Sequence, residues 1–360
     1  MSYNINQHAV ILPISKLDFG VGPLTCADLL SIKSSTNLNF HQALYNLLKI
    51  FHSKISIPPL NPNLKQLVFN IDSFLNYISY YEIELISYVF MLSTFETETQ
   101  TSYTKTITCS KCSENIKISA SLSQYIDSSS IKVWDKNASF FNFLFKQQIN
   151  IDKNILTIYY KIPTAYEYLY KLSGLNKATI IKNFNEHGDI LDEVSKIVIH
   201  INKIEFKKDD ITYNFNLSND IYVFIEKLPI SIKDKIKSYF YENVYVYFPK
   251  IGINVICNRC NSNIFVRLSP TFDFLSNFFD EKDAFINIKE IENFVDLYEQ
   301  IFILSNENFT SVKEFLDMPY PFFVKIVKKL SKSFEKRNKL FENKFSKIFK
   351  SLSGVFKVWK

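Results

Sequence analysis

The sequence predicts an α+β fold of two internally duplicated helical halves, each closed by a β-hairpin with a zinc knuckle, followed by a long C-terminal helix. Two Cys-x-x-Cys motifs, at residues 109–112 and 257–260, lie between runs of strand-forming residues. The interval from Asp72 to the first motif is 37 residues, and the interval from Asp220 to the second is the same. A repeated spacing of this kind indicates internal duplication. Apolar residues at helical spacing near the C-terminus predict the final helix.

The candidate metal site consists of the four motif cysteines, Cys109, Cys112, Cys257 and Cys260. Two thiolate pairs on tight turns are the ligands that a tetrahedral zinc site needs. The motifs lie 148 residues apart, so the fold must bring them together. No histidine lies near either motif, and we therefore expect a structural rather than a catalytic Zn²⁺. A redox-active Cys-x-x-Cys pair or a disulfide stays open as an alternative.

Composition excludes several classes of function. The chain has 360 residues, 47% of them hydrophobic, which suits two or three domains with sizeable cores. It has only six glycines and no G-x-x-x-x-G-K-[ST], G-x-G-x-x-G, G-x-S-x-G or H-E-x-x-H motif, so we expect no enzyme of these kinds. No apolar run reaches the roughly 18 residues of a membrane span. The N-terminus lacks a secretion-signal pattern, so we expect synthesis in a reducing cytoplasm.

Positive charge is concentrated at the C-terminus. The whole chain has a formal net charge of +6, but residues 325–360 contain 12 basic and two acidic residues. The first 324 residues contain 30 basic and 34 acidic residues. The basic character therefore belongs to a C-terminal arm, which we define as residues 325–360.

Helix and strand signals follow one another in a similar order in both halves. We predict four segments: a first half (1–125), a connecting segment (126–158), a second half (159–280) and a helical C-terminal region (281–360). In the first half, helices are predicted from residue 25 and over 39–52, 72–78 and 80–95, and strands over 104–108 and 115–120. The connecting segment has an aromatic helix candidate at 139–146. In the second half, strands are predicted over 155–162, 244–256 and 263–268, and helices over 164–172, 177–201, 220–228 and 231–241.

An ordered set of short motifs in the first half carries a family resemblance. It comprises L-P-x-S-K (Leu12, Pro13, Ser15, Lys16), T-x-x-D-L-L (Thr25, Asp28, Leu29, Leu30), I-D-x-F-L-x-Y-I-S (Ile71, Asp72, Phe74, Leu75, Tyr77, Ile78, Ser79), Glu82 and the first cysteine motif. The set resembles the T4-type baseplate proteins of contractile-tailed phages, a group associated with the central hub and its assembly. It covers about residues 8–125 and, more weakly, 155–280.

The resemblance implies a structural or assembly role in the tail baseplate without catalysis. It implies other baseplate hub and tail-tube proteins as partners, and localisation in the virion after synthesis in the host cytoplasm. The second half and the basic arm depart from the shorter members of the family. A zinc-knuckle protein that binds nucleic acid is the alternative, but the first 324 residues are slightly acidic, which disfavours it.

The C-terminal arm predicts an amphipathic helix with a partner-binding stripe. Lysines fill its other faces, and the apolar stripe includes Phe334, Phe341, Phe345, Ile348 and Leu352. The stripe could fold back onto the rest of the chain or lie on a membrane surface. We favour docking on an acidic partner or on a second copy of the chain, and expect no membrane.

Overall fold

The computed structural model describes residues 8–34, 40–56, 70–95, 102–121, 124, 131–135, 139–174, 193–209, 211–267, 270–272, 274–275, 301, 305 and 311–327. Its helices are α1 (Cys26–Ser34), α2 (Phe40–Lys54), α3 (Ile71–Tyr77), α4 (Tyr80–Phe95), α5 (Ala165–Gly174), α6 (Glu193–His200), α7 (Ser218–Glu226), α8 (Ile230–Tyr239) and α9 (Val312–Leu316). A π-helical turn (Phe240–Val244) and a 3-10 turn (Tyr245–Tyr247) follow α8, Pro270–Phe272 forms a short helical turn, and residues 320–327 are helical.

The strands form small antiparallel sheets. They are β1 (His8–Ile11), β2 (Asp18–Val21), β3 (Ile55–Ser56), β4 (Ser102–Thr108), β5 (Asn115–Ser121), β6 (Phe145–Ile151), β7 (Asn154–Tyr160), β8 (Ile201–Lys208), β9 (Ile211–Phe215), β10 (Gly252–Ile256) and β11 (Asn263–Arg267). The order is β1-β2-β3 in one sheet and β6-β7-β8-β9 in another, while β4-β5 and β10-β11 are separate hairpins. Every strand pairing among the described residues is antiparallel.

Helix α4 belongs to the interior of the part of the chain that the structure describes. Nearly all of its residues are buried, as expected for a helix that is apolar on all sides. The Phe90 ring stacks on Phe51 of α2 at 4.1 Å between ring centroids. The Tyr80 ring stacks on Tyr168 of α5 at 3.8 Å. One apolar cluster thus joins residues from both predicted halves of the chain, and we call it the main core.

A buried carboxylate fixes the N-terminal turn onto α4. Glu82 Oε1 accepts hydrogen bonds from the backbone N–H groups of Ile14 (2.7 Å) and Ser15 (2.8 Å). Its Oε2 accepts from Ser79 N–H at 2.9 Å. Burial raises the pKa of Glu82, against the opposing effect of these hydrogen bonds. Backbone donors therefore replace the solvation that this carboxyl group loses on folding.

Two short backbone bridges tie distant parts of the chain together. Ser79 pairs with Thr164, and Thr25 pairs with Pro319. Each threonine begins a helix whose first turn carries an acidic residue. The Thr25 hydroxyl caps the N–H of Asp28, and the Thr164 hydroxyl caps the N–H of Glu167. Both helices start with the reciprocal side-chain and backbone bonds of a capping box.

The structure confirms a mixed fold of helices and strands, and most of the predicted helices match it. The helix candidate at 139–146 is wrong, since residues from Phe145 onward form β6. The strand predicted over 244–256 is helical as far as Tyr247 and becomes a strand at Gly252. Strands β8 and β9 were not predicted. The division into four segments stays a prediction.

Two predictions concern the C-terminus and the membrane. Almost all of the predicted long C-terminal helix, including its five partner-binding residues, lies outside the described residues. Among the helices that the structure describes, none is long and apolar enough to cross a membrane.

Candidate metal centre

The first cysteine motif forms the turn of hairpin β4-β5. Strand pairing ends at Thr108 and Asn115, and the chain between them folds into a tight loop. Cys109 N–H donates to Glu114 O, and Ser113 N–H donates to Cys109 O, both at 2.8 Å. Ser113 adopts φ of 57°, a left-handed conformation that disfavours most side chains. The loop therefore has a defined shape, with Cys109 as its first residue and Cys112 as its fourth.

The second motif forms a turn with the same hydrogen bonds. Cys257 N–H donates to Ser262 O at 2.9 Å, and Asn261 N–H donates to Cys257 O at 2.8 Å. Asn261 has φ of 54° and occupies the position of Ser113 in the first turn. Asparagine tolerates this conformation better than most residues. Two sequences that share only their cysteines and a basic residue thus adopt one backbone shape.

The fold brings the four sulfur atoms together. All four Sγ atoms lie within 4.8 Å of one another. Cys109 Sγ is 3.6 Å from Cys260 Sγ, and Cys112 Sγ is 3.5 Å from Cys257 Sγ, and both contacts cross between the hairpins. These distances exceed the roughly 2.05 Å of a disulfide bond, and all four thiols are free. A tetrahedral zinc site with Zn–S bonds of about 2.3 Å has sulfur–sulfur distances of about 3.8 Å. The four sulfurs can therefore hold one metal ion.

A buried serine hydroxyl contacts the sulfurs from one side. Ser262 Oγ lies 3.0 Å from Cys260 Sγ and 3.4 Å from Cys109 Sγ. The hydrogen bond from Ser262, followed by that from Lys111 N–H, lowers the pKa of Cys109 to about 6. The Ser262 hydroxyl also lowers the pKa of Cys260. The hydroxyl thus favours the thiolate form, which is the form that binds metal.

The remaining thiols raise the cost of ionising Cys112. The N–H of Glu114 favours its thiolate, but loss of solvation and the thiols of Cys257, Cys260 and Cys109 outweigh that effect and raise the pKa of Cys112 to about 12. Several thiolates placed this close repel one another, and a bound dication offsets that repulsion.

An ion pair joins the two turns outside the sulfur cluster. Arg259 Nη1 lies 3.4 Å from Glu114 Oε2, with side chains that are 67% and 47% exposed. Exposed pairs of this kind contribute little to stability, about 0–1 kcal/mol. Arg259 is nevertheless the one basic residue of the second turn, and its side chain is engaged in this ion pair. Lys111, its counterpart in the first turn, is exposed.

The two hairpins have a small apolar interior of their own. Ile118 and Val266 are buried, as are Cys109 and Cys257, yet none of the four belongs to the main core. On the other face of β10-β11, a Cβ added at Gly252 would lie 2.5 Å from Val266 O and 2.6 Å from the Phe265 ring. Glycine is therefore required where this ring packs on the backbone. We call β4-β5 and β10-β11, with their turns, the cysteine module.

Other candidate ligands lie elsewhere. Cys26 is buried in the main core, where burial raises the pKa of its thiol to about 12. His200 is buried among aromatic rings; its Nδ1 is 2.7 Å from Lys196 O, and its Nε2 has no partner among the described residues.

The sequence correctly identified the four cysteines that the fold assembles, but it missed Ser262. The only signal was a hydroxyl two residues after Cys260, which has no counterpart in the first motif.

Comparison with known proteins does not assign the chain to a family or a function. The chain matches no protein-family model, no curated protein and no solved structure. Function must therefore be inferred from the site and from the sequence motifs.

Proposed function

We propose that Cys109, Cys112, Cys257 and Cys260 bind one structural Zn²⁺ that fastens the two hairpins together. The observation that carries this proposal is the approach of sulfurs from two turns 148 residues apart to 3.5 and 3.6 Å. Four thiolates form a closed tetrahedral shell without an open position for substrate, which is the pattern of structural zinc. Soft thiolate ligands favour zinc or iron over magnesium or calcium.

We also propose that the two hairpins descend from an internal duplication. The order helix, turn, helix, hairpin occurs as α3, α4, β4, β5 and again as α7, α8, β10, β11. The two turns share their hydrogen bonds and the left-handed residue after the second cysteine. The matched capping boxes at Thr25 and Thr164 add a second pair of corresponding features. Each copy then supplies half of the zinc ligands.

The biological role that we propose is structural: a component or assembly factor of a contractile-tail phage baseplate, in the hub region. Its support is the ordered motif set of the first half. Residues of separate motifs in that set contact one another, since Glu82 binds the backbone of Ile14 and Ser15. Thr25 and Asp28 cap α1. These motif residues hold the fold, as expected for a scaffold. The stripe Phe334, Phe341, Phe345, Ile348 and Leu352 would bind hub or tail-tube proteins.

Metal analysis tests the zinc site. We expect native mass spectrometry of protein purified without added metal to show one zinc per chain. The variant Cys112→Ser should lose the metal, because it removes one of four ligands. Cys26→Ala is the matched control, since Cys26 lies in the main core, and it should keep the full metal content. Retention of zinc by Cys112→Ser would contradict the shared site.

Composition of purified tails tests the baseplate role. We expect mass spectrometry to detect the chain in contractile tails, or in hub assembly intermediates, of the phage that encodes it. Deletion of residues 325–360 should abolish that association while the metal content stays at one zinc per chain. Absence of the chain from tails and from every intermediate would overturn this role without affecting the zinc site.

A further inference from the structure

The four cysteines of the cysteine module differ in how far solvent reaches them. Cys109 and Cys257 are buried, Cys112 is half-buried and Cys260 is exposed. Cys260 is therefore the residue whose sulfur a solute in water reaches most readily. The fifth thiol, Cys26, is fully buried in the main core. Attack on the module by a soluble oxidant should start at Cys260, because exposed thiols are oxidised first.

Two contacts between sulfurs have the distance and the direction of a thiol hydrogen bond, and both cross between the hairpins. Cys260 Sγ lies 3.6 Å from Cys109 Sγ, and Cys112 Sγ lies 3.5 Å from Cys257 Sγ. The two sulfurs of one motif are also within 4.8 Å of each other, so distance alone allows either pairing. The direction of the measured contacts favours the crossed pairs.

The crossed pairs lie close to the geometry of a covalent bond. An S–H bond and an S–S bond leave the sulfur at similar angles to its Cβ atom, so a thiol aimed at its neighbour for one is aimed for the other. A disulfide is about 2.05 Å long, and each pair therefore has to approach by about 1.5 Å. Rotation of side chains can supply this approach while the hydrogen bonds of Cys109 and Cys257 keep the turns in shape.

We propose that a peroxide oxidises the cysteine module to two disulfides that cross between the hairpins, Cys109–Cys260 and Cys112–Cys257. This regulation rests on the zinc site proposed above, because the four sulfurs are the same. Zinc is released as its thiolate ligands are consumed, and a covalent link takes the place of the metal. Oxidation thus changes what joins the hairpins without separating them.

The first disulfide forms in two steps that consume one molecule of hydrogen peroxide. The Cys260 sulfur attacks one peroxide oxygen, so that an S–O bond forms, the O–O bond breaks and the departing hydroxide takes a proton to become water. The Cys109 sulfur then attacks Cys260 Sγ, so that the S–S bond forms, the S–O bond breaks and a second hydroxide becomes water. The two sulfurs lose two electrons, which the peroxide gains. Cys112 and Cys257 react in the same way with a second peroxide.

Crossed disulfides have a different effect from disulfides within the motifs. A Cys109–Cys260 bond joins residues 151 positions apart and holds β4-β5 against β10-β11, whereas a bond within one motif closes only its own turn. A longer closed loop also restricts the unfolded chain more strongly. A chain that is made in a reducing cytoplasm and carried in a virion, as proposed above, meets oxidants after release. Crossed disulfides keep the module closed there after the metal has left.

Peptide mapping of the full chain identifies the pairing. Lys111 and Arg259 each lie between the two cysteines of their motif, so trypsin places the four cysteines on four separate peptides. Zinc-loaded protein is treated with hydrogen peroxide, the remaining thiols are blocked, and the digest is analysed by mass spectrometry without reduction. We expect complete loss of the bound zinc and linked peptides for the two crossed disulfides.

The same chain, unfolded, is the matched control. Oxidised in urea after removal of zinc, it should form mainly disulfides within the motifs, because closing a loop across one motif costs less entropy than closing one of 151 residues. Folded Cys26→Ala should give the wild-type map, since Cys26 lies in the main core. A chelator should leave the hydrogen-exchange protection of β4 and β10 in the oxidised protein and abolish it in the reduced protein.

A map of the folded protein that matches that of the unfolded chain, or any other dominant pairing, would overturn the proposal and leave the zinc site intact. So would treatment with peroxide that releases no zinc, or that yields sulfinic acids without disulfides. Protein that contains no zinc before oxidation would contradict the zinc site instead. The map of the same four thiols would then still decide the pairing.

Discussion

The main core and the cysteine module are stabilised in different ways. The main core buries large aromatic and aliphatic side chains from α2, α4, α5 and β7, with rings in direct stacking contact. The cysteine module has two two-stranded hairpins, whose buried side chains are chiefly Ile118, Val266 and cysteines. Isolated two-stranded hairpins are marginally stable in water. Apolar burial is therefore extensive in the main core and slight in the cysteine module, for which we propose a metal ion as the main source of stability.

Removal of the metal should have the largest effect. Structural zinc contributes about 10–16 kcal/mol of binding free energy in zinc-finger peptides, and that free energy becomes folding free energy. Treatment with a strong chelator should therefore abolish hydrogen-exchange protection in β4, β5, β10 and β11. Protection in α4 and β7 should persist, because the main core does not contain the cysteine ligands. Loss of protection in α4 as well would show that the two regions fold as one unit.

The complementary experiment perturbs the main core by removing an aromatic ring and leaves the four cysteines unchanged. Phe90 is fully buried and stacks on Phe51. Phe90→Ala should lower the free energy of unfolding by about 3–5 kcal/mol, because it leaves a cavity. Urea unfolding followed by circular dichroism measures this change. Zinc content of the folded variant should stay at one per chain, and a loss of zinc would mean that the module depends on the shape of the core.

Acid should weaken the main core through His200. Burial is the main cause that lowers the pKa of His200 to about 3. An unfolded histidine takes up a proton below about pH 6.5, whereas the folded one does not until about pH 3. The folded state binds fewer protons in this window, so the free energy of unfolding falls as the pH decreases, by about 1.4 kcal/mol per unit.

His200→Phe isolates that contribution. The variant keeps an aromatic ring in the same surroundings but cannot titrate, so its free energy of unfolding should fall less steeply than that of wild type between pH 6.5 and about 4.5. The difference between the two proteins is the relevant quantity, since Glu82 titrates in both. Parallel pH profiles of unfolding would contradict the assignment of a neutral buried His200.

Loss of the Ser262 hydroxyl should have the smallest effect. Ser262→Ala removes the hydroxyl that contacts Cys109 Sγ and Cys260 Sγ and should weaken zinc affinity about tenfold, as is typical for groups that orient metal ligands. Competition with a chromophoric chelator measures the affinity. Ser262→Thr should restore it, and Ser110→Ala, on the exposed first turn, should leave it unchanged. Equal affinities for Ser262→Ala and Ser110→Ala would exclude the hydroxyl from the site.

Local sequence patterns predicted the helices better than the strands. The bounds of α4 were correct, since its capping signals and apolar run lie within one segment. The segment after α8 alternates Val and Tyr and so resembles a strand, but Tyr245 stacks on Phe248 at 4.8 Å and Val244 is fully buried, which favours a helical turn. At β6, Phe143 and Phe145 pack on Trp134, so tertiary contacts favour a strand over the predicted helix.

The site was predictable in its ligands but not in its surroundings. The Cys-x-x-Cys spacing identifies all four cysteines without any knowledge of the fold. The pairing of Cys109 with Cys260 and of Cys112 with Cys257 depends on how two distant hairpins pack. The contact of Ser262 with Cys109 has the same origin. Contacts between two motifs that lie 148 residues apart give no local sequence pattern from which they could be predicted.

X-ray absorption at the zinc edge tests the central claim most directly. If one ion binds all four cysteines, the spectrum of the purified chain should fit a single shell of four sulfurs at about 2.3 Å. Cys26→Ala should give the same spectrum, since that thiol lies in the main core. A shell of two sulfurs with nitrogen or oxygen ligands would mean that the turns bind metal separately, and it would contradict the shared site.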